Sequence, residues 1–200
     1  MEISKAVKNI QVVFDLYDRF GGEDYMDGAV TQLDHMFQTA KRAEGEGYNE
    51  EIILSAFFHD IGHLISYTFK ASNSNGECSI DYGKVGAEYL QGLGFSENIC
   101  NMVRSQLQTK RYLNYKFYNC DQNRSSASIV NPEQKETVMN AVEARVFECN
   151  PMHLLYIKLL EWDNMAIIGN VAGASTAKYQ QMALKHLLNQ DITANRAICY

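Results

Sequence analysis

Four residues have the types and the setting to hold a transition metal: His35, the adjacent pair His59-Asp60, and Asp163. Two neutral imidazoles and two carboxylates form a mixed nitrogen and oxygen donor set. Such a set suits Fe, Mn, Co, Ni or Zn, whereas Ca prefers oxygen throughout. The remaining coordination positions would take water or a substrate oxygen. On a helix, His59 and Asp60 point about 100° apart, so both can still reach one cation beside a helix end. The pair lies in AFFHDIGH, directly after an apolar run. Ionisable groups are costly to bury there without a partner, and a cation is one. A single His on an amphipathic helix is more often a packing residue than a ligand. The surroundings of the dipeptide therefore carry more weight than its residues taken singly.

The elements that must position these groups read as helices. Val7, Ile10, Phe14 and Tyr17 repeat at helical spacing and predict a helix over 4–20, stopped by Gly21-Gly22. A second helix, expected from about Asp27 to Ala43, carries His35 and turns Val30, Leu33, Phe37 and Ala40 inward. Asn49 reads as an N-cap, with Glu50 and Glu51 in the first turn of a helix that delivers His59-Asp60 near its end. Residues 66–79 are rich in Ser, Asn and Gly and read as a loop. A helix through Val85 and Leu90 ends near Gly94, and Ser96 caps the next, with Ile99, Val103 and Leu107 on one face. The polar stretch 117–130 reads as an irregular connection. Pro132 suits the first turn of a helix with Val138, Val142 and Val146 inward. Pro151 opens another, ending near Trp162-Asp163, and a last helix spans 175–189 with Tyr179, Met182 and Leu187 inward. No strand is strongly signalled and no linker divides the chain. The expectation is one all-α domain over 1–200.

Composition narrows the function. The 200 residues are 46% apolar and 21% charged, which is ordinary for a globular protein. A net charge of −6 argues against nucleic acid or an anionic membrane as partner, because phosphate charge calls for a basic surface. No run approaches the roughly 18–20 continuous apolar residues of a membrane span. The N-terminus mixes charges into its apolar residues and lacks a signal-peptide core. The five cysteines (Cys78, Cys100, Cys120, Cys149 and Cys199) are scattered and form no C-x-x-C pair. Free thiols in a cytoplasmic protein are the expectation.

The string LSAFFHDIGH at 54–63, with His35 before it and Asp163 after it, resembles the H…HD…D signature of the HD superfamily. The chain is similar, more closely, to the HD-type diiron oxygenases that cleave hydroxyphosphonates. The likeness covers about 24–165. It includes DY at 24–25, QLDH at 32–35, HDIGH at 59–63, KVGAEYLQGLGFSE at 84–97, KRYL at 110–113 and WD at 162–163. It implies an HD-domain helical bundle in which positions 35, 59, 60 and 163 hold a first iron. A second iron in that family shares the Asp60 position and takes two histidines, where this chain has Tyr82 and Gln106. The family's Glu that works with the Tyr25 position falls on Gly28. His63, Lys110, Tyr25 and Ser128 match positions implied to contact substrate. Leu160 stands where relatives carry an arginine.

A phenol with an ordinary pKa near 10 and a neutral amide are poor ligands for a divalent ion beside imidazole. One metal, iron first among the candidates, is therefore expected rather than two. The reading this favours is mononuclear, phosphohydrolase-like chemistry on a small phosphate or phosphonate compound. Asp60 would bind the metal, while His63 and Lys110 would neutralise the anion and serve catalysis. A divergent hydroxyphosphonate oxygenase is one alternative. A catalytically degenerate fold retained for binding is another.

Overall fold

The computed structural model describes residues 1–25, 30–70, 80–121, 137–166 and 175–197. It is helical, with one minimal strand pair among the described residues. At its centre lies α3 (Glu50–Phe58), in which every residue from Ile52 to Phe58 is buried. A helix apolar all round must be enclosed on every side. Here α2 (Gln32–Gly45), α6 (Glu97–Arg104) and α10 (Ala177–Ala197) pack against it. From α1 (Ile3–Phe20), Phe14 and Tyr17 reach the same core. Phe57 stacks between Tyr17, at 4.8 Å, and Tyr179 of α10, at 4.2 Å. Asn49 caps α3 as its sequence suggests, accepting from the Ile52 amide at 3.0 Å.

The second helix starts later than expected. Asp24–Tyr25 (β1) pairs antiparallel with Val30–Thr31 (β2), and α2 begins only at Gln32. Thr31 is its N-cap, accepting from the Asp34 amide. This strand pair fixes Tyr25 beside the first turn of α2. Gly47, at φ +78°, lets the chain leave α2 toward α3.

After a turn at His59-Asp60 the chain resumes as α4 (Ile61–Lys70), so residues 66–70 are helical, not loop. The stretch Glu50–Phe69 is long and apolar enough to cross a membrane by composition. Most of it, however, is buried inside the fold, and it carries His59-Asp60. Where α4 meets α5 (Tyr82–Gly92) the backbones touch. A Cβ on Gly62 would collide with the Tyr82 carbonyl, and one on Gly86 would lie 2.9 Å from the Ile61 side chain. Two glycines thus set this close crossing.

Ser96 caps α6 and Gly94 precedes it at φ +92°. A turn at Ser105 then resets the register, so Leu107 belongs to α7 (Gln106–Asp121) and is half-exposed instead of sharing the Ile99–Val103 face. Because α7 runs to Asp121, residues 117–121 are helical as well. The next helix, α8 (Ala141–Cys149), opens at Asn140 through a capping box with Glu143; Pro132 lies outside the described residues. Ala144 and Phe147 are its buried residues, which leaves Val142 and Val146 exposed, against expectation. Val7 of α1 is likewise partly exposed. Helix α9 (His153–Met165) ends near Asp163 as expected. α10 extends past 189, with Tyr179 and Leu187 buried and Met182 packed at the edge of the core.

Candidate metal centre

Three elements converge on one buried point. His35 comes from the first turns of α2, His59-Asp60 from the α3–α4 turn, and Asp163 from the end of α9. One ligand atom from each lies within 4.8 Å of all the others. His35 Nε2 is 3.0 Å from Asp163 Oδ1, 3.5 Å from Asp60 Oδ2 and 3.1 Å from His59 Nε2. His59 Nε2 is 3.4 Å from Asp60 Oδ2 and 3.6 Å from Asp163 Oδ1.

The main chain orients both rings. His35 Nδ1 donates to the Ala166 carbonyl at 3.0 Å, and His59 Nδ1 donates to the Ala56 carbonyl at 2.9 Å. Each Nε2 is thereby turned inward, the arrangement by which an outer hydrogen bond fixes a ligating tautomer. Two inward nitrogens and two carboxylate oxygens at such separations are stable only around positive charge. Without a metal, that charge is a proton. Burial opposes an imidazolium at His35, yet hydrogen bonds to Asp163 and Asp60 outweigh it and lift this ring to about 9. Burial alone would raise both carboxylates. The imidazoles of His59 and His35 overcome it and hold Asp60 and Asp163 well below the ordinary carboxylate range. The donor set fits a divalent transition metal, which would supply the positive charge that protonation supplies otherwise.

Tyr25 covers one side of the group, its ring stacked on His35 at 3.7 Å and 11°. Burial, then the nearby Asp163 and Asp60 carboxylates, push its phenol upward, so it stays protonated. Gln106, at the start of α7, donates its amide nitrogen to Asp60 Oδ1 at 3.1 Å and to the His59 carbonyl. His63, one turn into α4, stacks on the Tyr82 ring at 4.0 Å and is near enough to act on the Asp60 charge. Lys110 is exposed on α7, four residues after Gln106 and so on the same helix face. Ser128 and Gly28 lie outside the described residues.

A clamp between α2 and α9, which the sequence did not announce, holds Asp163 and Ala166 in place. Arg42 donates to the Met165 carbonyl at 2.8 Å, and Trp162 Nε1 donates to Glu46 at 2.9 Å. Glu46 also pairs with Lys158 at 3.1 Å. Together with the His35–Ala166 hydrogen bond, these contacts tie α2 and the residue just beyond it to α9 along the stretch that carries Asp163.

A helical fold presenting an H…HD…D group at one buried point is that of a metal-binding HD domain. The HD domain family's sequence profile matches residues 33–146, and the chain belongs to that family. Its relatives place it more narrowly. It is 35% identical over 145 residues to [1-hydroxy-2-(trimethylamino)ethyl]phosphonate dioxygenase (glycine-betaine-forming) of Leisingera caerulea, covering 71% of each chain. It is 30% identical over 148 residues to hydroxymethylphosphonate dioxygenase of Gimesia maris, covering 72% of each. An uncharacterised protein of Acanthamoeba polyphaga mimivirus is 29% identical over 185 residues, 92% of this chain and 84% of its own. The chain is thus an HD-domain protein akin to hydroxyphosphonate dioxygenases.

Proposed function

We propose that the protein holds one divalent transition metal, iron first, through His35, His59, Asp60 and Asp163, and acts with it on a small phosphate or phosphonate compound. The observation that carries this reading is the convergence of four ligand atoms within 4.8 Å, with both ring orientations fixed by the main chain. Among the described residues no second group of this kind occurs. A bound metal would supply Lewis-acid polarisation of a phosphoryl oxygen and activation of water. The chain's own residues would do the rest. His63, carried by α4, and Lys110, carried by α7, would take the anionic oxygens, the lysine as a point charge. The protonated phenol of Tyr25 would offer a hydrogen bond while its ring keeps water from His35. Ser128 is assigned a substrate contact by the family resemblance alone.

The dioxygenase relatives favour a second reading, oxidative cleavage of a hydroxyphosphonate. One experiment separates the two. The protein loaded with Fe or Mn is assayed for phosphate release from small phosphate monoesters and, in parallel, for oxygen uptake with hydroxymethylphosphonate. Phosphate release that vanishes in Asp60→Asn, with no oxygen uptake, supports hydrolysis. Stoichiometric oxygen uptake overturns it in favour of the oxygenase. Silence in both assays with either metal overturns both and leaves a binding role.

A further inference from the structure

We infer that Gln106 is the positioning residue that limits this centre to a single metal ion, by occupying the second oxygen of Asp60. This rests on the one-metal reading above and gives it a cause.

The side-chain amide of Gln106 faces two groups that carry no hydrogen: the His59 carbonyl and Asp60 Oδ1. Both can only accept, so the amide NH2 must point at them and its carbonyl oxygen must point away. The orientation is thus dictated by the neighbours. Asp60 is divided as a result. Its Oδ2 faces His35 and His59, at 3.5 and 3.4 Å, while Oδ1 is taken by Gln106.

A carboxylate that bridges two cations through its two oxygens needs, on each oxygen, a lone pair open to its own ion. Beside Oδ1 the protein instead presents the hydrogen edge of an amide. That edge carries partial positive charge and repels a cation, and an amide nitrogen has no lone pair to offer one. The same hydrogen bond keeps Asp60 from swinging, so Oδ2 stays aimed at the His pair. The bond to the His59 carbonyl ties the whole arrangement to the α3–α4 turn. Gln106 therefore both excludes a second ion and steadies a ligand of the first.

The test is Gln106→Glu, which keeps the side-chain length but replaces the donor with a carboxylate oxygen beside Oδ1. With Mn(II) as the probe, the unaltered protein is expected to bind one ion per chain, with the EPR signal of an isolated ion. Gln106→Glu is expected to bind two, with the signal of a coupled pair. One ion in folded Gln106→Glu overturns the role of Gln106 and leaves the one-metal reading standing. Two ions, or none, in the unaltered protein overturn the one-metal reading itself. If circular dichroism shows that Gln106→Glu does not fold, Gln106→Met decides. It should still bind one ion, about 10–100-fold more weakly, because Asp60 has lost its support. Unaltered affinity in that variant overturns the proposal.

Discussion

His35 and His59 face each other Nε2 to Nε2 at 3.1 Å, while the Nδ1 atoms of both rings are committed to main-chain carbonyls. Neither ring can turn away without abandoning a buried carbonyl, which is costly. The pair is therefore built around positive charge, supplied by protonation or by a metal ion.

Metal-free protein should lose stability as pH rises from about 6.5 to about 9. His35 titrates near 9 in the folded chain against 6.5 ordinarily, so between these values the folded form binds more protons than the unfolded one. Its contribution is complete below the lower value and gone above the upper. At acid pH the reverse holds for Asp60 and Asp163, whose depressed values cost stability once pH falls below the ordinary carboxylate range. Thermal melts of the metal-free and metal-loaded protein across this range check the sign. The alkaline decline should be absent once a metal replaces the proton, and Asp163→Asn should shrink it in the metal-free form.

Arg42→Met should weaken metal binding by roughly tenfold, on the scale of changes to outer hydrogen bonds, while leaving the protein folded. Arg42 touches no ligand. It holds the Met165 carbonyl beside Ala166, the residue that orients His35. A metal titration followed by competition with a chelator reads the loss.

The α4–α5 crossing should tolerate no side chain at Gly62. Gly62→Ala drives a methyl into the Tyr82 carbonyl and should cost about 1–3 kcal/mol, measured by urea denaturation. Gly86→Ala should cost less, because its nearest neighbour is the Ile61 side chain, which can move.

Lys110→Ala should raise KM for a phosphorylated or phosphonate substrate while leaving metal affinity and Tm unchanged. Its ammonium is exposed, and its assigned work is to meet an anion. Steady-state kinetics on the metal-loaded variant distinguishes this from a structural loss.

Much of this arrangement was legible before the fold. An apolar run that ends in HDIGH must bury charge, and burial of charge points to a cation. The caps at Asn49 and Ser96 were equally readable, because a side-chain oxygen three residues before a free amide is a local signal. What failed were inferences that needed to know which face looks inward. Val142 and Val146 read as core by type, yet Ala144 and Phe147 are the buried residues of α8. Leu107 fell out of register because the turn at Ser105 starts a new helix. The strand pair at Tyr25 is too short to show a period. The clamp at Arg42 and Glu46 joins residues more than 100 positions apart, and no spacing rule could announce it. The Gln106 contact was hidden for a related reason: a glutamine looks like a missing ligand until its donor is seen on Asp60.

The most direct test of the account is a count of metal. Protein loaded anaerobically with ferrous iron, freed of excess and analysed for bound metal should carry one ion per chain, and Asp163→Ala should carry none. Two ions per chain, or a single ion retained undiminished without Asp163, would contradict a centre formed by these four residues.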